Sequence, residues 1–145
     1  MQVDKCTALL RNAIGSAQSA ALSANHQKLT AEHILMALIN DDNMTIKMLL
    51  TKSDGDSAAL LASLKTAIGK FPQVTGSGAG QLQLDTDLAK IFSSVEVEAK
   101  ERNDQFITVE LFVLAMAKSS GSISKLLETA GFKADAINRA IDEMR

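Results

Sequence analysis

The stretch "NHQKLTAE" at residues 25–32 returns as "NDQFITVE" at 103–110, seventy-eight residues later. Self-similarity at a fixed offset constrains a chain more tightly than composition, because both copies must satisfy one local fold. The same offset pairs Leu10 with Leu88, Ser16 with Ser94, Ala21 with Ala99, Ala37 with Ala115, Lys47 with Lys125, Leu49 with Leu127 and Thr51 with Thr129. Ile14 with Phe92 and Leu29 with Ile107 agree in character. Beyond Thr51 the offset slips by about one, which sets Leu60 near Ile137 and Leu64 near Ile141. The chain therefore reads as a duplicated unit.

Each unit reads as four helices. Val3, Cys6, Leu10, Ala13, Ile14, Ala17 and Ala21 step by threes and fours, one apolar stripe that fades near Ala24. Thr30 stands at an N-cap with Glu32 in the first turn, and "AEHILMALI" follows as a buried central helix. Asp41, Asp42 and Asn43 stop it; "TIKMLL" (45–50) makes a short third helix, "SDGD" turns the chain, and Leu60, Leu61, Leu64 and Ile68 mark a fourth. "GKFPQVTGSGAGQLQL" (69–84) has no helical period, holds the only proline, Pro72, and carries four of the eight glycines, so it reads as a flexible linker. The second set follows. Asp85 caps a helix with Leu88, Ile91, Phe92, Val95 and Ala99. Thr108 opens "VELFVLAMA", Ile123, Leu126 and Leu127 form a short helix, Gly131 stops it, and Ala134, Ile137, Ala140, Ile141 and Met144 complete the eighth. No strand is needed. The expected fold is all-α with about eight helices, a pseudo-twofold tandem repeat of a four-helix unit: repeat one 1–69, linker 70–84, repeat two 85–145. Each half is too small to bury its own core well, so the two should pack as one domain.

Several function classes are disfavoured. The formal charge is −2, with no Lys/Arg cluster and few stacking aromatics, so nothing attracts a nucleic-acid backbone. The longest apolar run, "LFVLAMA" (111–117), falls far below the ~20 residues that span a bilayer. The first residues hold Asp4 and no apolar signal core, and the single cysteine forms no internal disulfide; both suit a soluble cytoplasmic protein. Cys6 on an apolar stripe reads as a buried inert thiol, and His26 and His33 are too few for a zinc site. "GSGAG" (76–80) lacks the Lys-Ser/Thr of a phosphate loop. Catalysis within these residues is not expected, nor a metal or cofactor.

With these motifs assembled, the chain resembles the N-terminal domain of the Clp ATPases, a double Clp-N motif, and within that family the ClpB-type disaggregases. The markers are "AEHILMAL" (31–38), "KFPQVTGSG" (70–78), "FITVELFVLA" (106–115) and "AINRAIDEMR" (136–145). The resemblance implies a module of a hexameric AAA+ unfoldase, with ATP and magnesium used only by ATPase modules outside these residues. It implies recruitment of exposed segments of unfolded or aggregated protein and delivery to the hexamer pore, a co-chaperone system acting on the parent hexamer, and a monomer when isolated. The family's functional threonine and two acids fall on Thr7, Asp104 and Glu110. Its apolar groove falls on Phe106, Leu111, Leu88, Ile91 and Val95, made more polar here by Ser94 and Glu98. The other readings are an adaptor-docking module and a regulatory cap. Where the first copy has His26 and Lys28, the second has Asp104 and Phe106; function is expected on the second copy.

Overall fold

The structure, a computed structural model, describes residues 3–41, 43–76 and 80–145. Among them are eight α-helices: α1 (Ala8–Ser23), α2 (Ala31–Asn40), α3 (Met44–Lys52), α4 (Ser57–Gly69), α5 (Thr86–Glu101), α6 (Val109–Lys118), α7 (Ser122–Thr129) and α8 (Ala134–Met144). The all-α repeat architecture is as the stripes predict. Six helices begin on a side-chain oxygen that accepts a backbone N–H of the first turn: Thr7, Thr30, Asn43, Asp56, Asp85 and Thr108. The repeat extends to the stops. Asn25 and Asn103 follow α1 and α5 in left-handed conformation, with φ of 60° and 61°; Asp54 and Gly131 do the same after α3 and α7. Short polar side chains and glycine tolerate that region, which is why these types stand there.

Three details differ from the sequence reading. Cys6 and Thr7 precede α1 rather than lying on it: Cys6 is buried ahead of the helix and Thr7 is its N-cap. The one-residue slip is spread over α3 and α7 rather than starting past Thr51: their first residues, Met44 and Ser122, are 78 apart, whereas buried Ile46 and Ile123 and the left-handed Asp54 and Gly131 are 77 apart. And short strands exist: β1 (Lys28–Leu29) pairs in parallel with β2 (Gln83–Leu84). The second strand lies inside the segment read as a flexible linker, which is also tied at its start: Gln73 bridges His26, and the Val74 N–H donates to the Asn25 carbonyl at 2.7 Å. Residues 77–79 of the "GSGAG" run lie outside the described residues.

The strands form a reciprocal clasp. Leu29 of repeat one pairs with Leu84, just before α5, and the Asp85 N–H donates to the Leu29 carbonyl at 3.0 Å. Shifted by 78, the same contact recurs with the repeats exchanged: Ile107 bridges Cys6, and the Thr7 N–H donates to the Ile107 carbonyl at 3.0 Å. The segment before each repeat's first helix thus completes the junction loop of the other.

The core runs through both units. On α6, Val109 and the run Leu111–Met116 are all buried, and the Phe112 ring lies 5.1 Å from that of Phe92 on α5. Each fully buried Leu or Phe contributes roughly 1.5–3 kcal/mol before entropy is counted. The α3–α4 and α7–α8 turns pack on each other: the Asp56 N–H donates to the Ala130 carbonyl at 2.8 Å, and Gly55 lies so close under Phe132 that a Cβ would sit 2.6 Å from its ring. Glu32, buried in the first turn of α2, accepts a hydrogen bond from Ser122 Oγ on α7 at 2.6 Å.

Candidate functional site: the second junction and two grooves

The two junction loops begin alike and end differently. In repeat one the loop is sealed. His26 Nδ1 and His33 Nε2 lie 2.9 Å apart, and Phe71 sets its ring against both, at centroid distances of 5.5 and 5.2 Å. The Thr30 backbone N–H donates to His33 Nδ1 at 3.1 Å while Thr30 Oγ1 accepts the His33 N–H, a capping box in which His33 takes the place usually held by Glu or Gln. His33 Nδ1 must therefore accept, so Nε2 carries the proton and donates to His26. Burial first, then the neighbouring His26, lowers the His33 pKa from 6.5 to about 4. Neither histidine is an ordinary surface residue; the sequence reading missed the pair because a loop residue meets the first turn of α2 under Phe71 from the linker, which no period records.

Repeat two covers its junction differently. Phe106 is 50% exposed. Asp104 receives a two-pronged contact from Arg145, Nη1 to Oδ1 at 3.2 Å and Nη2 to Oδ2 at 2.9 Å, and Nη2 also reaches Glu110 Oε2 at 3.3 Å. Partial burial opposes the charge on Arg145, but the hydrogen bond and charge of Asp104, followed by Glu110, raise its pKa. Thr7, ahead of α1, meets this loop through its N–H, which donates to the Ile107 carbonyl. So Thr7, Asp104, Phe106 and Glu110 belong to one junction. The other four assigned residues do not line an open groove. Leu88, Val95 and Leu111 are 0% exposed and Ile91 1%, because their stripes face the shared core; of these, only Ile91 also borders a cavity wall described below.

Each repeat also carries a groove between its first and second helices. The groove of repeat two, about 310 Å³, runs past Ile91, Ser94, Glu98, Leu114 and Lys118. Charges cross one end of it: Glu98 pairs with Lys118 at 3.3 Å and with Arg102 at 3.5 Å, and Arg102 goes on to Asp142 and Asn138. The matching groove of repeat one is about 740 Å³, lined by Ser16, Ala20, Ala24, Met36, Ala37 and Ile68 among others, with His26 and His33 at its wall. Ala20 and Ala24 stand where repeat two has Glu98 and Arg102, so no side chains of that size fill it. This larger cavity belongs to the copy that the sequence reading assigned no function.

Two four-helix repeats, clasped about a pseudo-twofold and grooved between paired helices, define a double-repeat helical domain of the kind found at the N-termini of Clp ATPases. Comparison with known proteins makes the assignment definite. The chain belongs to the Clp repeat (R) N-terminal domain family, which matches residues 5–130. It is 38% identical over 146 aligned residues to the chaperone protein ClpB of Agrobacterium fabrum, an alignment that covers all of this chain and 17% of that protein. The Hsp104 N-terminal domain from Candida albicans superposes with a TM-score of 0.83 at 17% identity, over 97% of this chain and 91% of that one. A ClpV N-domain solved in complex with VipB peptide superposes with a TM-score of 0.73 at 15% identity, over 96% and 86%. These residues are a Clp N-terminal domain and hold no ATPase module. No helix of the described residues is long and apolar enough to cross a membrane.

Proposed function

We propose that this domain recruits unfolded or aggregated polypeptide for a ClpB-type ATP-dependent disaggregase, binding exposed segments at the second junction and delivering them toward the pore of the parent hexamer. The observation that carries this reading is the asymmetry of the junctions: His26 is buried under Phe71 and Gln73, whereas its counterpart loop presents Phe106 beside two carboxylates. An unfolded segment offers apolar side chains and unpaired N–H groups, and this loop offers an aromatic face and acceptors for them. Binding is weak and sequence-tolerant, since a delivery module must release its cargo. The domain works in the cytoplasm as a monomeric unit without a cofactor; ATP and magnesium serve the parent's ATPase modules, on which a co-chaperone system acts.

The second reading is adaptor docking. It is favoured by the open groove of repeat one, about 740 Å³, and by the fold it shares with a ClpV N-domain solved in complex with VipB peptide. NMR titration of the 145-residue chain with a permanently unfolded protein separates the two. Recruitment at the second junction requires shifts centred on Thr7, Asp104, Phe106 and Glu110. Shifts confined to Ser16, Ala20 and Ala37 would transfer the role to the first groove, and no shifts at millimolar ligand would remove recruitment and leave adaptor docking.

A further inference from the structure

In each repeat, the residues that follow the last helix fold back over that repeat's own junction. After α4, Phe71 stacks on His26 and His33, Gln73 bridges His26, and the Val74 N–H bonds to Asn25. After α8, Arg145 lays its guanidinium on Asp104 and Glu110. The first cover is made of ring packing and backbone hydrogen bonds over a buried histidine. At the second, Arg145 makes side-chain ion pairs, and its side chain remains 34% exposed against 20% and 14% for those of Asp104 and Glu110. Water reaches the guanidinium and competes for its partners, so a partly exposed ion pair can open. The Arg145 contacts can part without disturbing a helix or a strand.

We propose that Arg145 is an intramolecular latch on the second junction, occupying Asp104 and Glu110 until a client segment displaces it. This inference rests on the recruiting role given above. A guanidinium laid fork-on against Asp104 uses both oxygens of that carboxylate, and its Nη2 also takes Oε2 of Glu110. Client donors cannot take those oxygens while it stays. Phe106, half exposed and two residues from Asp104, is outside the latch's ion pairs, so an apolar client side chain can make first contact there and the acids become available second.

The test is the affinity of the 145-residue chain for reduced, carboxymethylated α-lactalbumin, a permanently unfolded protein, read from amide shifts at the second junction. Arg145→Gln removes the charge and the fork but keeps the backbone N–H that bonds to the Ile141 carbonyl at 3.2 Å. It is expected to bind about 1.5- to 5-fold tighter than the parent chain, the range that an ion pair of this exposure can supply. The gain should vanish in the Asp104→Asn background, where the latch has lost its main partner. Arg145→Lys, which keeps charge without the fork, should fall between. Binding by the parent chain with no tightening in Arg145→Gln overturns the latch and leaves recruitment standing. No shifts in either chain at millimolar probe overturn both. A melting temperature for Arg145→Gln within about 2 °C of the parent confirms that the comparison is between folded chains.

Discussion

Mild acid should loosen this domain through one histidine. His33 is needed neutral, because its Nδ1 accepts the Thr30 N–H in the capping box of α2; a proton there sets donor against donor. In the unfolded chain the imidazole takes up its proton near pH 6.5, and in the fold only near pH 4. Between those values the unfolded state binds the extra proton, so stability falls as pH falls. The contribution is fully present above pH 6.5, declines as pH drops through that value, and is exhausted below about pH 4. At 1.36 kcal/mol per pH unit, a gap of about 2.5 amounts to about 3 kcal/mol. Urea unfolding of the wild type and of His33→Gln at pH 7, 6, 5 and 4.5 isolates this effect. Gln at the same position can complete a capping box and does not titrate, while every carboxylate is common to both chains. The wild type should lose about 1.4 kcal/mol per pH unit more than the variant below pH 6. Parallel profiles would show that His33 carries no proton linkage.

Other perturbations probe other joints of the fold. Gly55→Ala forces a methyl to within 2.6 Å of the Phe132 ring, and should cost about 1–3 kcal/mol in denaturant unfolding, as overpacking does; a neutral result would mean the two turns are not pressed together. Glu32→Ala removes the acceptor of the 2.6 Å bond from Ser122. Its loss should cost about 1.5–3 kcal/mol, the size of a charge-assisted hydrogen bond, and a loss below about 1 kcal/mol would return Glu32 to a mere helix-dipole role. Phe106→Ala, by contrast, should leave the unfolding midpoint within about 0.5 kcal/mol, as an exposed surface change does, while weakening binding of an unfolded protein in the NMR titration; a large stability loss would place Phe106 in the core.

Much of the fold was legible because burial in helices leaves a period. The stripes located all eight helices, and the repeated Asn, Thr and Glu of the two junctions located their starts and stops. The register slip was misplaced for a physical reason. Lys47 and Lys125, or Thr51 and Thr129, agree on exposed positions 78 apart, while the buried pairs Ile46/Ile123 and Leu50/Leu127 already stand 77 apart. The same limit misled the groove assignment. A stripe tells which residues turn inward but not whether inward means a cavity wall or the core, and Leu88, Val95 and Leu111 proved to be core. Phe106 was legible as the odd residue of its loop. The Phe71 cover on His26 and His33 and the Arg145 contacts were not, because they join residues 35 to 45 positions apart through ring edges and long side chains.

The reciprocal clasp has a consequence for how such a domain can vary. Its contacts have the form of an isologous dimer, in which residue i of one copy meets residue j of the other and the reverse. In a true dimer of identical subunits every substitution is made twice, so a change that closes one groove closes both. Joined in one chain, the copies keep the geometry and lose that bond. Ala20 and Ala24 can leave one groove empty while Glu98 and Arg102 cross the other with ion pairs, and one junction can be sealed with histidines while its twin is covered by Arg145. A single duplication thereby yields two independently adjustable surfaces on one rigid frame.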